Sequence, residues 1–184
     1  MEIETISEDG KKALVALLNK AIQVEYGVMQ NYPRIIDYLV NYEKINDEMF
    51  VSDLERLGKD SVRHLGWIVD IIKSFGGESI WQMNPIERLF DARKVGNQQL
   101  EKEKMAVEMY KEAIRLARGN MVKVKVEDFS GKLIRTNKHG LQEEVIEASE
   151  VIDRLERIEV DEINHVKTVH GMLATYDFLK DKET

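Results

Sequence analysis

The sequence predicts an all-α protein built as a four-helix bundle, and three observations carry that expectation. Four long segments place apolar residues about 100° apart, forming the stripe by which a helix buries one face. Chain breakers are scarce, with 2 Pro and 11 Gly among 184 residues, and 33% of the residues are charged. The two halves of the chain also carry polar residues at matching places on their stripes. A chain of this length can bury a real core, so residues 1–184 are read as one domain.

Ser7 is a natural cap for the first helix, with Glu8 and Asp9 suiting the positive end of its dipole. Leu14, Leu18, Ala21, Ile22, Val28, Met29, Tyr32, Ile36 and Leu39 keep helical spacing to about residue 41, and Glu25 stands at the centre of their stripe. Pro33 removes a backbone donor and is expected to kink or interrupt this helix. A polar connection, Tyr42 to Asn46, then leads into a second helix with Asn46 as its cap. The second stripe is Phe50, Leu54, Leu57, Leu65, Ile68, Ile72 and Phe75, with Ser61 at its centre and His64 near its edge. Gly76-Gly77 ends it.

Residues 78 to about 93 read as a long crossover between helices two and three, with Asn84-Pro85 opening a short helix. The third helix runs to about Ala117 on Leu100, Ala106, Val107, Tyr110, Ile114 and Ala117. Glu103 is central on its stripe, and Gly96 and Gln99 face inward in its more polar early part. From Met121 to Thr136 the period changes. Val122, Val124 and Val126 alternate with lysines, Asp128 to Gly131 is turn-like, and Leu133-Ile134 follows, so a β-hairpin insertion is expected at about 119–141. A lone hairpin is marginal in water, so this one should pack on the bundle or on a neighbouring subunit. The fourth helix is expected from about Leu141 to Leu179, on Val151, Leu155, Ile158, Val166, Val169, Leu173 and Tyr176. Glu162 is central on that stripe and His165 lies one turn on.

Composition excludes several function classes. The formal net charge is −7 and no basic cluster is present, against nucleic-acid binding. With 0 Cys there are no disulfides, thiolate zinc sites, iron–sulfur clusters or cysteine nucleophiles, which fits a reducing compartment. No apolar run reaches the roughly 18 residues of a membrane span, and the N-terminus lacks a signal-peptide pattern, so no membrane association is expected and the location expected is cytoplasmic.

The central carboxylates are the anomaly. An unpaired ionised carboxylate in an apolar bundle is costly unless it is protonated, paired or bound to metal. Glu162 and His165, three apart on a helix, direct an oxygen and an imidazole at one point. Alone, such a pair is weak evidence, since chance supplies many, and a hydrogen-bonded Glu–His pair in a polar core is the simpler reading. The repeat changes the weighing. Glu25 is followed seven residues later by Tyr32, and Glu103 seven later by Tyr110. Asp60-Ser61-Val62-Arg63-His64 parallels Asp161-Glu162-Ile163-Asn164-His165. The Glu103-to-His165 span exceeds the Glu25-to-His64 span by about the length of the insertion between Gly119 and Leu141. Independent core polar residues have no reason to share a register; a pseudo-two-fold bundle around one site does. Carboxylates and imidazoles suit iron or manganese better than copper(I). Tyr32 and Tyr110 are read as core packing, and His139 and His170 as surface residues.

These motifs resemble the ferritin-like superfamily of di-iron carboxylate proteins, whose helix pairs each supply Glu and then Glu-x-x-His. Glu103-Lys104-Met105-Ala106-Val107-Glu108-Met109-Tyr110 is similar to the third-helix Glu-Arg-x-Ala-Ile-x-x-Tyr pattern. Ser61-Val62-Arg63-His64 is similar to the second-helix Glu-Met-Arg-His pattern with its Glu replaced. The resemblance covers nearly the whole chain except the insertion, and it implies a ferritin-like four-helix bundle of the ferritin or mini-ferritin-like branch. Residue by residue it implies Glu25, His64, Glu103, Glu162 and His165 as metal ligands, with Asp60 and Glu159 as candidate substitutes where Ser61 departs from the pattern; that departure leaves a di-iron site with an unusual bridge, a mononuclear site and an occupied but inactive site all open. It further implies iron oxidised by O2 or hydrogen peroxide, and association into a homo-oligomer. The rival expectations are a structural bundle with a degenerate site, and a di-iron oxygenase acting on an organic substrate.

Overall fold

The computed structural model describes residues 1–45, 47–82, 91–137 and 139–181, with side chains as far as 177 in the last helix. Four long helices form the body: α1 (Glu8–Asn41), α2 (Glu48–Ser74), α3 (Ala92–Gly119) and α4 (Ala148–Asp181). Five short strands accompany them: β1 (Glu2–Ile6), β2 (Met121–Lys125), β3 (Glu127–Phe129), β4 (Lys132–Thr136) and β5 (Gln142–Glu144). Helix α1 packs on both α2 and α3, α3 packs on α4, and α2 meets α4 more sparingly. Among the described residues no helix is long and apolar enough to cross a membrane.

Local chemistry sets the helix ends. The Ser7 hydroxyl accepts from the Gly10 amide at 3.2 Å, as a cap should. Asp47, one residue beyond the expected Asn46, caps α2 by accepting from the Phe50 amide at 2.9 Å; Asn46 itself lies outside the described residues. Asp91 caps α3 in the same way, accepting from the Lys94 amide at 2.9 Å. Helix α2 stops as Gly76-Gly77 predicts. Gly76 turns left-handed at φ 69°, its amide bonds Lys73 O and the Gly77 amide bonds Ile72 O, which satisfies carbonyls the helix would leave open. Helix α1 continues through Pro33, so of the kink or interruption expected there the interruption does not occur. Buried Tyr32, Ile35 and Leu39 flank the proline, and their packing outweighs one lost backbone bond.

The connection after α2 first runs along α1. Asn19 donates to Glu78 O at 3.0 Å and accepts from the Ile80 amide at 2.7 Å; Gln23 does the same with Ile80 O and the Gln82 amide. Asn84-Pro85 and its expected short helix lie outside the described residues.

The insertion departs from a simple hairpin. Strand β2 pairs antiparallel with β1, placing Ile3 opposite Val124, while β3, β4 and β5 form a separate three-stranded sheet. The turn at Asp128–Gly131 is where it was expected, joining β3 to β4. The chain stays extended to Glu144, so α4 begins at Ala148 rather than near Leu141. Ile3, Val126 and Val145 close a small core of their own between the strands.

The bundle core falls into two apolar clusters. One, nearer the strands, holds Leu14, Leu18, Ile22, Leu65, Ile72, Ile114 and Leu155. The other, toward the far end, holds Val28, Leu39, Leu54, Leu57, Leu100 and Val169. Along every helix the switch from one cluster to the other falls at a central polar residue. Glu25 lies between Ile22 and Val28, Ser61 and His64 between Leu57 and Leu65, Glu103 between Leu100 and Ala106, and Glu162 and His165 between Ile158 and Val169. A polar layer is thereby sealed between two dry ones.

Candidate metal centre

All five residues expected as ligands are buried: Glu25 is 2% exposed, His64 0%, Glu103 1%, Glu162 1% and His165 3%. His64, expected near the edge of its stripe, points fully inside. The structure brings the five together as two overlapping groups. Glu25, His64 and Glu162 offer one ligand atom each within 4.8 Å of one another, and so do Glu103, Glu162 and His165. Glu162 belongs to both. Its Oε1 lies 2.9 Å from His64 Nδ1 and 3.3 Å from His165 Nδ1. Glu25 Oε1 lies 3.2 Å from His64 Nδ1, and Glu103 Oε2 3.5 Å from His165 Nδ1.

The outer nitrogens of the two imidazoles face carboxylates on the opposite helix. His64 Nε2 lies 3.2 Å from Asp161 Oδ2, and His165 Nε2 lies 3.2 Å from Asp60 Oδ2. Asp60 and Asp161 precede Ser61 and Glu162 in the two parallel motifs, so each motif orients the other's histidine. Arg63 ties the exchange together, reaching Asp60 and Asp161 at 2.8 Å each. Asp60, expected as a substitute ligand, instead holds the outer nitrogen of a histidine. Glu159 is half-buried and joins neither group.

The tyrosines make the same kind of exchange. Tyr110 donates to Glu25 Oε1 at 2.7 Å, and Tyr32 to Glu103 Oε1 at 2.7 Å. They are therefore hydrogen-bond partners of the carboxylates rather than packing alone. Gln99, inward-facing as expected, also donates to Glu103 Oε1, at 2.9 Å. Upstream of it, Gly96 lets α3 approach α4: a Cβ there would meet Leu173 Cδ2 at 2.6 Å. The missed contacts had a visible signal, since an Asp precedes each motif and a Tyr follows each Glu by seven. His139 and His170 are exposed, as expected.

Electrostatics follow from crowding titratable groups in a dry layer. Burial alone would depress His64, but Glu162 and Glu25 reverse this and lift it to about 10. Burial is likewise overcome at His165, which Glu103 and Glu162 raise to about 11. Burial pushes Glu162 up, reinforced by the neighbouring Glu25 charge. Against the burial effect, the adjacent His165 imidazole, together with Glu162, holds Glu103 down. Burial and the Glu103 and Glu25 charges drive the Tyr32 and Tyr110 phenols well above their ordinary value, so both act as neutral donors.

The donor set fits a metal pair. Buried polar atoms are normally partnered, yet Glu162 Oε1, His165 Nδ1 and Ser61 Oγ make no hydrogen bond. The first two are short of each other without the alignment a hydrogen bond needs, as groups converging on a common third point would be. Carboxylate oxygens and imidazole nitrogens are ligands for iron, and a carboxylate behind each histidine is the usual support for such a ligand. Beyond Gln99 lies an apolar cavity of about 40 Å³, walled by Phe50, Val169, Met172 and Leu173.

No family model matches the sequence, and no curated protein matches it. Solved structures do match. The chain superposes on a ferritin-like, diiron-carboxylate protein from Bacillus anthracis str. Ames with a TM-score of 0.65, at 17% identity, covering 89% of this chain and 97% of that one. It superposes on the bacterioferritin of Desulfovibrio desulfuricans, a protein with a diiron site, with a TM-score of 0.66, at 16% identity, covering 96% of this chain and 86% of that one. At such identities the likeness is one of fold.

Proposed function

From a chain with the ferritin-like fold, we propose an iron-handling protein that oxidises Fe(II) with O2 or hydrogen peroxide at a two-metal site inside the bundle. One observation carries this reading: two three-residue groups, buried between apolar clusters, share Glu162. In it Glu25 with His64 holds one iron, Glu103 with His165 holds the other, and Glu162 serves both. Each Fe(II) so held would give up one electron on becoming Fe(III), and two together would reduce O2 to hydrogen peroxide, or peroxide to water, with two protons taken up. The rest is the work of the chain. Asp161 and Asp60 fix the imidazoles with Nδ1 inward, Tyr110 and Tyr32 fix the terminal carboxylates, and the two apolar clusters keep bulk water out. The cavity beyond Gln99 is about the size of one small apolar molecule, which suits dioxygen better than an organic substrate.

The competing reading is a bundle that keeps this polar layer only as structure. Ser61, in place of a carboxylate, favours it; the convergence of three carboxylates and two imidazoles on one layer, with Glu162 common to both groups, weighs against it. The deciding experiment adds Fe(II) to metal-free protein without oxygen, then admits O2 or peroxide and follows ferric absorbance. The proposal expects Fe(II) oxidised faster than in buffer, with the iron retained by the chain. A rate no faster than buffer, with no iron retained, overturns it. Self-association belongs to the same proposal, and light scattering on the purified chain reads it.

A further inference from the structure

Ser61 occupies the place in α2 that Glu162 occupies in α4. An Asp precedes each residue, a His follows each by three, and the two Asp–His contacts cross symmetrically between the helices. Ser61 is fully buried, and its hydroxyl has no partner. A buried hydroxyl without a partner is a standing cost in the folded chain unless something occupies the space it faces.

On the metal-site reading above, we propose that the second metal enters together with one small carboxylate-type monoanion, of formate or acetate size. The anion takes the place a glutamate at position 61 would fill. A serine in place of glutamate removes a carboxylate and a methylene, and such an anion restores both the charge and the two oxygens. The Ser61 hydroxyl donates to it, which gives that buried group its missing partner. Glu162 is then the permanent half of the bridge and the anion the exchangeable half. Occupancy of the pair depends on the small oxyanions in solution.

The test titrates metal-free protein with Fe(II) under argon, in buffer free of carboxylates and carbonate, with and without millimolar formate. The expected result is one tight iron per chain without formate and two with it. One ¹³C-formate per chain should then be retained, with an isotope-shifted carboxylate stretch in the infrared difference spectrum. Ser61→Glu should take two irons with no added anion, and Ser61→Ala should need more formate than the native chain. If the Glu variant fails to fold by circular dichroism, the formate titration of the native chain still decides. Two irons bound equally well with or without formate would mean a bridge taken from water; the proposal falls and the metal site stands. One iron in all conditions overturns it in favour of a single-metal site. No iron in any sample overturns both this inference and the metal reading beneath it.

Discussion

The two helix pairs, α1 with α2 and α3 with α4, are built to one plan and differ at its centre. Each supplies a glutamate, a tyrosine two turns on, an aspartate and a histidine, and the partners are exchanged across the bundle: Tyr110 with Glu25, Tyr32 with Glu103, Asp161 with His64, Asp60 with His165. At the centre the pairs diverge. Helix α4 carries Glu162 where α2 carries Ser61, and α3 carries Gln99 where α1 carries Ala21. The supporting residues are thus present in both pairs, while the central carboxylate stands in only one. Each pair orients its buried glutamate and histidine in the same way, and the asymmetry is confined to position 61 and its counterpart Glu162.

The largest effect should come from removing the one residue common to both groups. Glu162→Ala is expected to lose both metals, taking iron content by elemental analysis from about two per chain to near zero. His64→Ala and His165→Ala should each leave about one, and equal loss of both metals in either single variant would contradict two separable groups.

Next in size is the response to pH. In metal-free protein the histidines stand near 10 and 11, so both are protonated at neutral pH and each must lose its proton before Nδ1 can ligate. Raising the pH therefore favours binding: between about pH 8 and 9, where Glu162, itself lifted to about 7, has already lost its proton, affinity at each position should climb about tenfold per unit, one proton being displaced per metal. Calorimetry in buffers of different ionisation heat counts those protons, and a count near zero would show that the histidines are not ligands.

The aspartates act one step removed. Asp161→Asn should weaken the metal held by Glu25 and His64, and Asp60→Asn the one held by Glu103 and His165, each by about 10–100-fold, in an anaerobic titration. If either change weakens both positions alike, the crossed assignment is wrong. Smallest are the tyrosines. Tyr110→Phe and Tyr32→Phe should each destabilise the metal-free fold by about 1–3 kcal/mol in denaturant melts, by taking a donor from a buried carboxylate. Tyr32→Phe should be the milder, since Gln99 still donates to the same oxygen. The reverse order would mean that Gln99 does not support Glu103.

Much of this arrangement was legible beforehand because it is periodic. The four stripes, the cap at Ser7, the stop at Gly76-Gly77 and the five buried site residues all follow from local spacing and composition. What stayed hidden depended on partners far along the chain. Strand β1 is five residues long, and its pairing with β2 joins chain positions on opposite sides of three helices. Tyr32 looked like packing because its partner, Glu103, sits on another helix. Asp60 looked like a spare ligand because only the approach of α4 shows His165 Nε2 at its carboxylate.

By itself the sequence determined the four amphipathic helices and the set of polar residues forced into their buried faces, because helical periodicity is a property of neighbours along the chain. Tertiary structure alone decided which carboxylate meets which imidazole, that Glu162 stands between both groups, and that the Ser61 hydroxyl is buried without a partner. Those facts are distances between helices, set by how the bundle packs, and no spacing within one helix encodes them.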